Sequence, residues 1–298
     1  MDIDLPALRS EERKLLANYI YSICGIQLDD SKHYLIEGRL RNLVAQTRAG
    51  TYSELYNKAR SDRSGSLERA IIDAVTTGET LFFRDRGPFD LLRQKILPEL
   101  IDRRARPAAA KIPVRIWSAA CSTGQEVYSI AIVLRELLGG ADKYDIRLLG
   151  TDISSQAIAR ASLGIYGDLQ MERGLPAETR NRYFVRRQEG WQIRDEIRAM
   201  ASFRTINLLR DFSTLGQFDI IFCRNVAIYF SEADKYALFS RLSMSLADDG
   251  YLIIGATESL ANASSGFEAK RYLRSVFYQR VNGRKTPARE SRDPYLTS

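Results

Sequence analysis

The sequence predicts an α/β chain in two parts: an all-helical block, then a domain of parallel strands interrupted by a small β-rich insertion. Three observations predict it. Up to about residue 75, apolar residues recur only at helical spacing. From Val114 to Asp152 the pattern runs strand, small-residue turn, helix, strand, acid. Phe218 to Cys223 is an almost unbroken apolar run, as in a parallel strand buried on both faces. A chain of 298 residues, 45% of them hydrophobic, suffices for one large or two ordinary domains.

The front block reads as four helices. Leu16, Tyr19, Ile20 and Ile23 form a stripe that stops at Gly25. Ser31 can cap a second helix that runs towards Gly50 and buries Leu35, Ile36, Leu40, Leu43 and Val44. Thr51, with Glu54 three residues on, is a capping box for a third. Leu67, Ala70, Ile71 and Ala74 mark a fourth. No strand signal interrupts them, so residues 1–76 are expected to form a separate bundle. Between Ser31 and Arg63 the bases Lys32, Arg39, Arg41, Arg48, Lys58, Arg60 and Arg63 meet only Glu37, Glu54 and Asp62. That excess suits either a solvated face or a dock for an acidic partner.

After a polar turn at Thr76–Thr77–Gly78 come Phe82, Phe83, Arg84 and Asp85, which suit a core anchor or a pocket lid; the anchor is favoured. A helix from Pro88 turns Phe89, Leu92, Ile96 and Leu100 inward, and Arg103 to Pro113 connects it to the first strand. That strand, Val114 to Trp117, ends in Ser118–Ala119–Ala120 and a tight turn, Cys121 to Gly124. From Glu126, residues Val127, Ile130, Ala131, Leu134 and Leu138 share one helix face. Ile146 to Gly150 is the second strand, tipped by Thr151 and Asp152, and Ser154 caps a short helix to Ser162. Residues 164–201 break the rhythm. Tyr183 to Arg187 and Trp191 to Arg194 read as a hairpin turning at Glu189–Gly190, with a helical piece near Ile197. Strands follow at Phe203 to Asn207 and Phe218 to Cys223, then a helix from Ser231 to Ala247 and strands at Tyr251 to Ala256 and Val276 to Gln279. Residues 77–282 thus form the second domain, and the aperiodic 283–298 reads as a mobile tail.

Strand, turn, helix, strand, acid is the plan of a nucleotide-binding βαβ unit. The turn admits a ligand to the backbone, and the acid accepts from ribose hydroxyls. The turn has a single glycine, Gly124, so G-x-G-x-x-G is absent, and G-x-x-x-x-G-K-[ST] occurs nowhere. A ligand without phosphates, such as S-adenosylmethionine, fits better; an ordinary α/β turn with no ligand has the same pattern.

Composition narrows the rest. A net charge of +7 suggests an acidic partner: nucleic acid, an anionic membrane or an acidic protein surface. Cys24, Cys121 and Cys223 show neither metal spacing nor a disulfide framework, which suits a reducing cytosol. The acidic start, Met1–Asp2–Ile3–Asp4, is unlike a signal peptide, and no apolar run approaches a membrane span. The expectation is a cytoplasmic protein. The one histidine, His33, lies far in sequence from every motif and is read as a surface residue. No Cys/His or Ser/His/Asp set supports hydrolytic or metal chemistry.

Five motifs in order resemble the CheR-type chemoreceptor glutamate methyltransferases: Thr77 to Asp85, Trp117 to Glu126, Gly150 to Ile153, Ile206 to Leu209 and Phe218 to Phe230. The resemblance covers roughly residues 10–280. It implies a helical N-terminal domain joined to a Rossmann-like S-adenosylmethionine-dependent methyltransferase domain with a small β-subdomain. It also implies that Thr80, Arg84, Glu126, Asp152, Asn207, Leu208, Cys223 and Arg224 surround the cofactor, with Asp152 at the ribose and Asn207–Leu208 at the adenine. Arg84 and Tyr229 would position the reacting groups, and the product would be S-adenosylhomocysteine. Gly78 and Gln125 depart from the family's usual Asn and Glu at their motif positions, and Glu126 keeps the motif's second acid.

The chemistry agrees. A glutamate carboxylate is ionised at neutral pH, so displacement at a sulfonium methyl needs positioning and desolvation, and no general base or metal. Arg84 or Arg224 could steer an anion, and Tyr229 reads as an aligning hydroxyl or a packed aromatic. The expected substrate is an acidic chemoreceptor helix, docked on Arg41 and Arg48, which lie seven residues apart on the second helix. The short connection Arg187 to Trp191, with one glycine, predicts no tethering of a receptor-tail pentapeptide. Neither nucleic-acid binding nor membrane insertion is expected. The alternatives are an RNA or small-molecule methyltransferase and a non-catalytic cofactor-binding signalling module.

Overall fold

The structure, a computed structural model, describes residues 7–28, 33–105, 111–139, 143–260 and 266–281. Ser31, the side chain of His33 and the segment 283–298 lie outside the described residues.

Four helices, α1 (Ser10–Cys24), α2 (His33–Gln46), α3 (Tyr52–Ser61) and α4 (Ser66–Val75), pack around a core of their own that includes Leu16, Ile20, Ile36, Leu40, Leu55 and Ile71. Gly25 ends α1 in the left-handed conformation. At Thr51 only half of the expected reciprocal cap forms: Thr51 Oγ1 accepts from Glu54 N–H, while the Glu54 carboxylate accepts from Gly50 N–H. The second helix is shorter than its pattern suggests. It stops at Gln46, and Arg48 turns left-handed, φ 51°. Ala49 N–H donates to Val44 O and Arg48 N–H to Ala45 O, the Schellman pair that closes a helix. Arg41 and Arg48 are both exposed, but only Arg41 is on α2, so they do not share a face of that helix.

Past α4 an extended strap, 76–81, leads to Phe82. The aromatic is an anchor: it is fully buried, edge-on to Tyr166 and Phe184. The next helical stretch is α5 (Gly87–Leu91), a π-helical turn (Leu92–Ile96) and α6 (Leu97–Arg104). Pro98 has no N–H to give, and the π turn just before it absorbs the interrupted ladder.

The main sheet has seven strands in the order β6-β2-β1-β7-β8-β10-β9. They are β1 (Ile112–Ala119), β2 (Tyr144–Asp152), β6 (Ala201–Thr205), β7 (Phe218–Cys223), β8 (Leu246–Ile254), β9 (Phe267–Tyr272) and β10 (Ser275–Arg280). The first five strands of that order run parallel, β10 is antiparallel to β8, and β9 is antiparallel to β10. Helices α7 (Gln125–Leu138) and α8 (Ser155–Leu163) follow β1 and β2, and α12 (Glu232–Ser245) precedes β8. Strand order reverses between β1 and β7, so their C-terminal tips open a crevice where ligands of such sheets bind.

The insertion holds a second sheet, β3-β5-β4, made from β3 (Ile165–Tyr166), β4 (Phe184–Arg187) and β5 (Gly190–Ile193). Three short helices surround it: α9 (Asp168–Glu172), α10 (Ala177–Tyr183) and α11 (Asp195–Arg198). The hairpin β4–β5 and the helix at Ile197 match the sequence pattern; α9, α10, β3 and the edge strand β9 go beyond it.

Candidate functional site

The crevice at the tips of β1, β2 and β7 is a cavity holding about 1410 Å³ of empty space, part of it open to solvent. Three groups of residues build it. The sheet supplies Ala120, Cys121, Ser122, Asp152, Asn207 and Arg224; the strap supplies Thr76, Thr77, Glu79, Thr80 and Arg84; the bundle closes it with Ile26, Gln27, Leu35, Ile36 and Arg39. Among the described residues, seven other than glycine have positive φ. Five of them, Phe83, Asp85, Ala120, Ser122 and Asn225, line this cavity or flank residues that do. Strain gathered at one rim marks a site that surrounding contacts hold in place.

The turn after β1 packs tightly because of Gly124. At φ 93°, a Cβ there would stand 2.9 Å from Ala161 Cβ on α8. Opposite, Asp152 ends β2 with its carboxylate held by main chain alone: Ser122 N–H donates to Oδ2 at 2.8 Å and Ser154 N–H to Oδ1 at 2.9 Å. A carboxylate has about four acceptor sites, so it retains capacity for a ligand. Burial raises its pKa, the N–H donors pull it back, and the charge of Asp73 adds to the rise.

Glu126 and Arg224 are committed to each other. Arg224 Nη1 donates to Glu126 Oε2 at 2.7 Å, and Ser118 Oγ donates to Glu126 Oε1 at 2.7 Å. Arg224 Nη2 reaches Asp85 Oδ2 at 2.8 Å and the Arg84 carbonyl at 2.9 Å. This buried guanidinium therefore ties the strap's end to the sheet, and it positions Arg84. The Arg84 side chain, partly buried on the cavity wall, donates to the Glu79 carbonyl at 3.2 Å. Thr80 and Tyr229 line the same cavity, and the Tyr229 hydroxyl has no partner among the described residues.

Two expected residues sit differently. Cys223 does not line the cavity: its side chain is fully buried with Trp117, Ala119 and Ile221, and burial pushes its thiol pKa up. The strand tip meets the cavity through Arg224 instead. Asn207 lines the cavity, but its amide is spent on structure, Nδ2 donating to Ile23 O at 2.9 Å and Oδ1 accepting from Leu209 N–H at 2.9 Å. Leu208 beside it supplies apolar wall. Sequence reading missed the bundle's contribution. Arg39 donates to the carbonyls of Val75 and Thr76 at 3.1 and 2.8 Å, and to Thr77 Oγ1 at 3.2 Å, pinning the start of the strap. Among the described residues, no cluster of His, Cys, Asp and Glu could hold a metal ion, and no helix is long and apolar enough to cross a membrane.

Comparison with known proteins gives a consistent result. Residues 78–274 match the family model for the CheR methyltransferase, SAM binding domain, and residues 11–76 match that for the CheR methyltransferase, all-alpha domain. Chemotaxis protein methyltransferase 1 of Vibrio cholerae is 38% identical over 275 residues, 91% of this chain and 98% of that one. Chemotaxis protein methyltransferase 1 of Pseudomonas aeruginosa is 37% identical over 270 residues, 89% of this chain and 96% of the relative.

Proposed function

This chain belongs to the CheR methyltransferase family, and from that premise we infer how its residues transfer a methyl group from S-adenosylmethionine to glutamate side chains of chemoreceptor helices. The observation that carries the inference is the Asp152 carboxylate, held by two backbone N–H groups at the cavity wall with acceptor capacity to spare. The residues present fit the cofactor. Asp152 takes the ribose hydroxyls, Leu208 and Ile206 offer apolar wall for the adenine, and Thr80 and Arg84 border the reacting end. The cofactor supplies a methyl group activated on a sulfonium sulfur. The chain supplies position: Arg84 draws the substrate carboxylate in, Tyr229 aligns it through its hydroxyl, and the strap and bundle keep water away. No proton need be taken from a carboxylate already ionised, and we assign the step no metal; full turnover in the presence of a chelator is expected.

We divide the chain into a receptor-docking bundle at 1–76 and a catalytic domain at 77–282 with its β-subdomain at 164–201. We place the reaction in the cytoplasm, on receptor helices beside the membrane; recovery of the enzyme in a membrane fraction without receptor would contradict this. The β4–β5 connection is only Gln188–Glu189. A turn this short offers no added backbone to clasp a peptide, so a receptor-tail pentapeptide should show no binding by calorimetry. The deciding experiment incubates the enzyme with labelled S-adenosylmethionine and receptor cytoplasmic fragments. Alkali-labile release of methyl from the receptor, the behaviour of an ester, is the expected result. Alkali-stable label, or label on RNA alone, would overturn the assignment.

A further inference from the structure

Asp73 belongs to the bundle, two residues before the end of α4, yet its carboxylate reaches across to the catalytic domain. Ser154 Oγ donates to Asp73 Oδ1 at 2.6 Å, Ser155 Oγ donates to Oδ2 at 3.1 Å, and Gln156 N–H points at Oδ1 from 3.4 Å. Ser154 is the N-cap of α8, where its Oγ accepts from Ala157 N–H at 3.0 Å. The same serine's backbone N–H donates to Asp152 Oδ1 at 2.9 Å. One buried residue thus stands between two carboxylates, its hydroxyl held by Asp73 and its N–H by Asp152.

From this arrangement we propose that Asp73 is a positioning residue for the cofactor site, acting through Ser154 on the orientation of Asp152. The terminal torsion of an aspartate is broad and does not hold the carboxylate plane by itself. Ser122 N–H and Ser154 N–H set that plane, and Asp73 ties the Ser154 hydroxyl on the far side. Two acids this close repel each other, so the arrangement costs something electrostatically. The N-terminus of α8, whose Gln156 N–H faces Asp73 and whose dipole end is positive, offsets part of that cost. The helical bundle is therefore part of the cofactor site as well as a platform for substrate.

The inference rests on Asp152 holding the cofactor, so the test carries Asp152→Ala as its reference. Binding of S-adenosylhomocysteine to the full chain is measured by calorimetry, with melting temperature alongside. Asp73→Ala should weaken binding about five- to tenfold, the worth of a lost hydrogen bond. Asp73→Asn, whose amide oxygen can still accept from the Ser154 hydroxyl, should return to within about twofold of wild type on the same scale. Ile71→Val thins the core of the same helix, where Ile71 is fully buried; it should lower the melting temperature and leave affinity alone. Wild-type binding by Asp73→Ala, beside weak binding by Asp152→Ala, would reduce Asp73 to a structural contact and overturn the proposal. Failure of Asp73→Asn to recover, or an equal loss in Ile71→Val, would overturn it too. Wild-type binding by Asp152→Ala would instead remove the cofactor reading itself.

Discussion

At the tip of β2, Asp152 accepts hydrogen bonds from two neutral backbone N–H groups; at the tip of β7, Arg224 is paired with carboxylates on both sides. Both residues line one cavity and both were expected to meet the cofactor. The difference lies in what each has left. Arg224, with its side chain 2% exposed, spends Nη1 on Glu126 and Nη2 on Asp85 and the Arg84 carbonyl, and keeps only a buried Nε–H, unpartnered among the described residues. Asp152 has been fixed in place without being neutralised. Neutral donors leave Asp152 its charge and acceptor capacity, whereas Arg224 has its charge matched by carboxylates.

The largest expected effect breaks the architectural side. Arg224→Met leaves Glu126, itself 11% exposed, without its cation. Removing one partner of a buried pair costs about 3–5 kcal/mol, because the other charge stays buried and uncompensated. Urea denaturation should read that loss, and Arg224→Met with Glu126→Gln should recover part of it. A loss no greater than about 1 kcal/mol would put the pair among surface ion pairs and erase the contrast.

Asp152→Ala tests the other side. The fold should persist while cofactor affinity drops by about 1.5–3 kcal/mol for each charge-assisted bond lost. Acidity adds a sharper form. Ribose hydroxyls donate to the ionised carboxylate, so binding is full above its pKa and falls as pH drops through it. Burial, chiefly, raises that pKa, so the fall should begin at higher pH than for an ordinary carboxylate. For stability of the free protein the same shift has the opposite sense. The folded state holds the proton more tightly than the unfolded chain, so this contribution is present at low pH and lost as pH rises through the folded pKa. Calorimetry across pH should show a flat acid limb for Asp152→Asn; an unchanged limb would assign the titration to another group.

Tyr229→Phe should leave cofactor affinity intact, since the ring still packs beside the second core of the catalytic domain, while turnover on receptor falls. Full turnover would make Tyr229 a structural aromatic.

The two tips also show how far sequence reaches. The plan from Val114 to Asp152 was legible because periodicity changes from strand to helix around a turn whose one glycine has no room for a Cβ. An acid at a strand's end announces itself by position. That Glu126 and Arg224 neutralise each other does not, because 98 residues separate them and only the β1–β7 pairing joins them. The same holds for Asn207, whose amide is taken by the carbonyl of Ile23 on α1, and for Arg39, which the sequence shows only as one base among seven. Some elements were lost for want of length: β3 has two residues and α9 five, less than a readable period. Strand β9 hid because its middle, Glu268 to Arg271, is exposed and mostly charged, as sheet edges often are. The end of α2 was misplaced because an arginine, where a glycine would have signalled it, takes the left-handed closing position.

The early stop of α2 bears on how a substrate helix would meet the bundle, where the smallest effect is expected. Arg41 sits on α2 and Arg48 on the turn beyond it, both exposed. They therefore do not form one stripe along a helix face, and each can meet a different part of an acidic receptor helix. Leu40 and Val44 stay in the bundle core, so charge reversal at either arginine should leave the fold alone. Exposed ion pairs contribute about 0.2–1 kcal/mol each, so either single reversal to Glu should raise the receptor KM by less than about tenfold. The double reversal should approach the product of the two, as expected of independent sites. Cofactor affinity should not change. Salt should weaken receptor binding to wild type more than to the double variant, because exposed charges are screened over about 10 Å at 0.1 M. Receptor kinetics unchanged in the double reversal, with wild type insensitive to salt, would show that these arginines only solvate the bundle and that the substrate helix docks on another face.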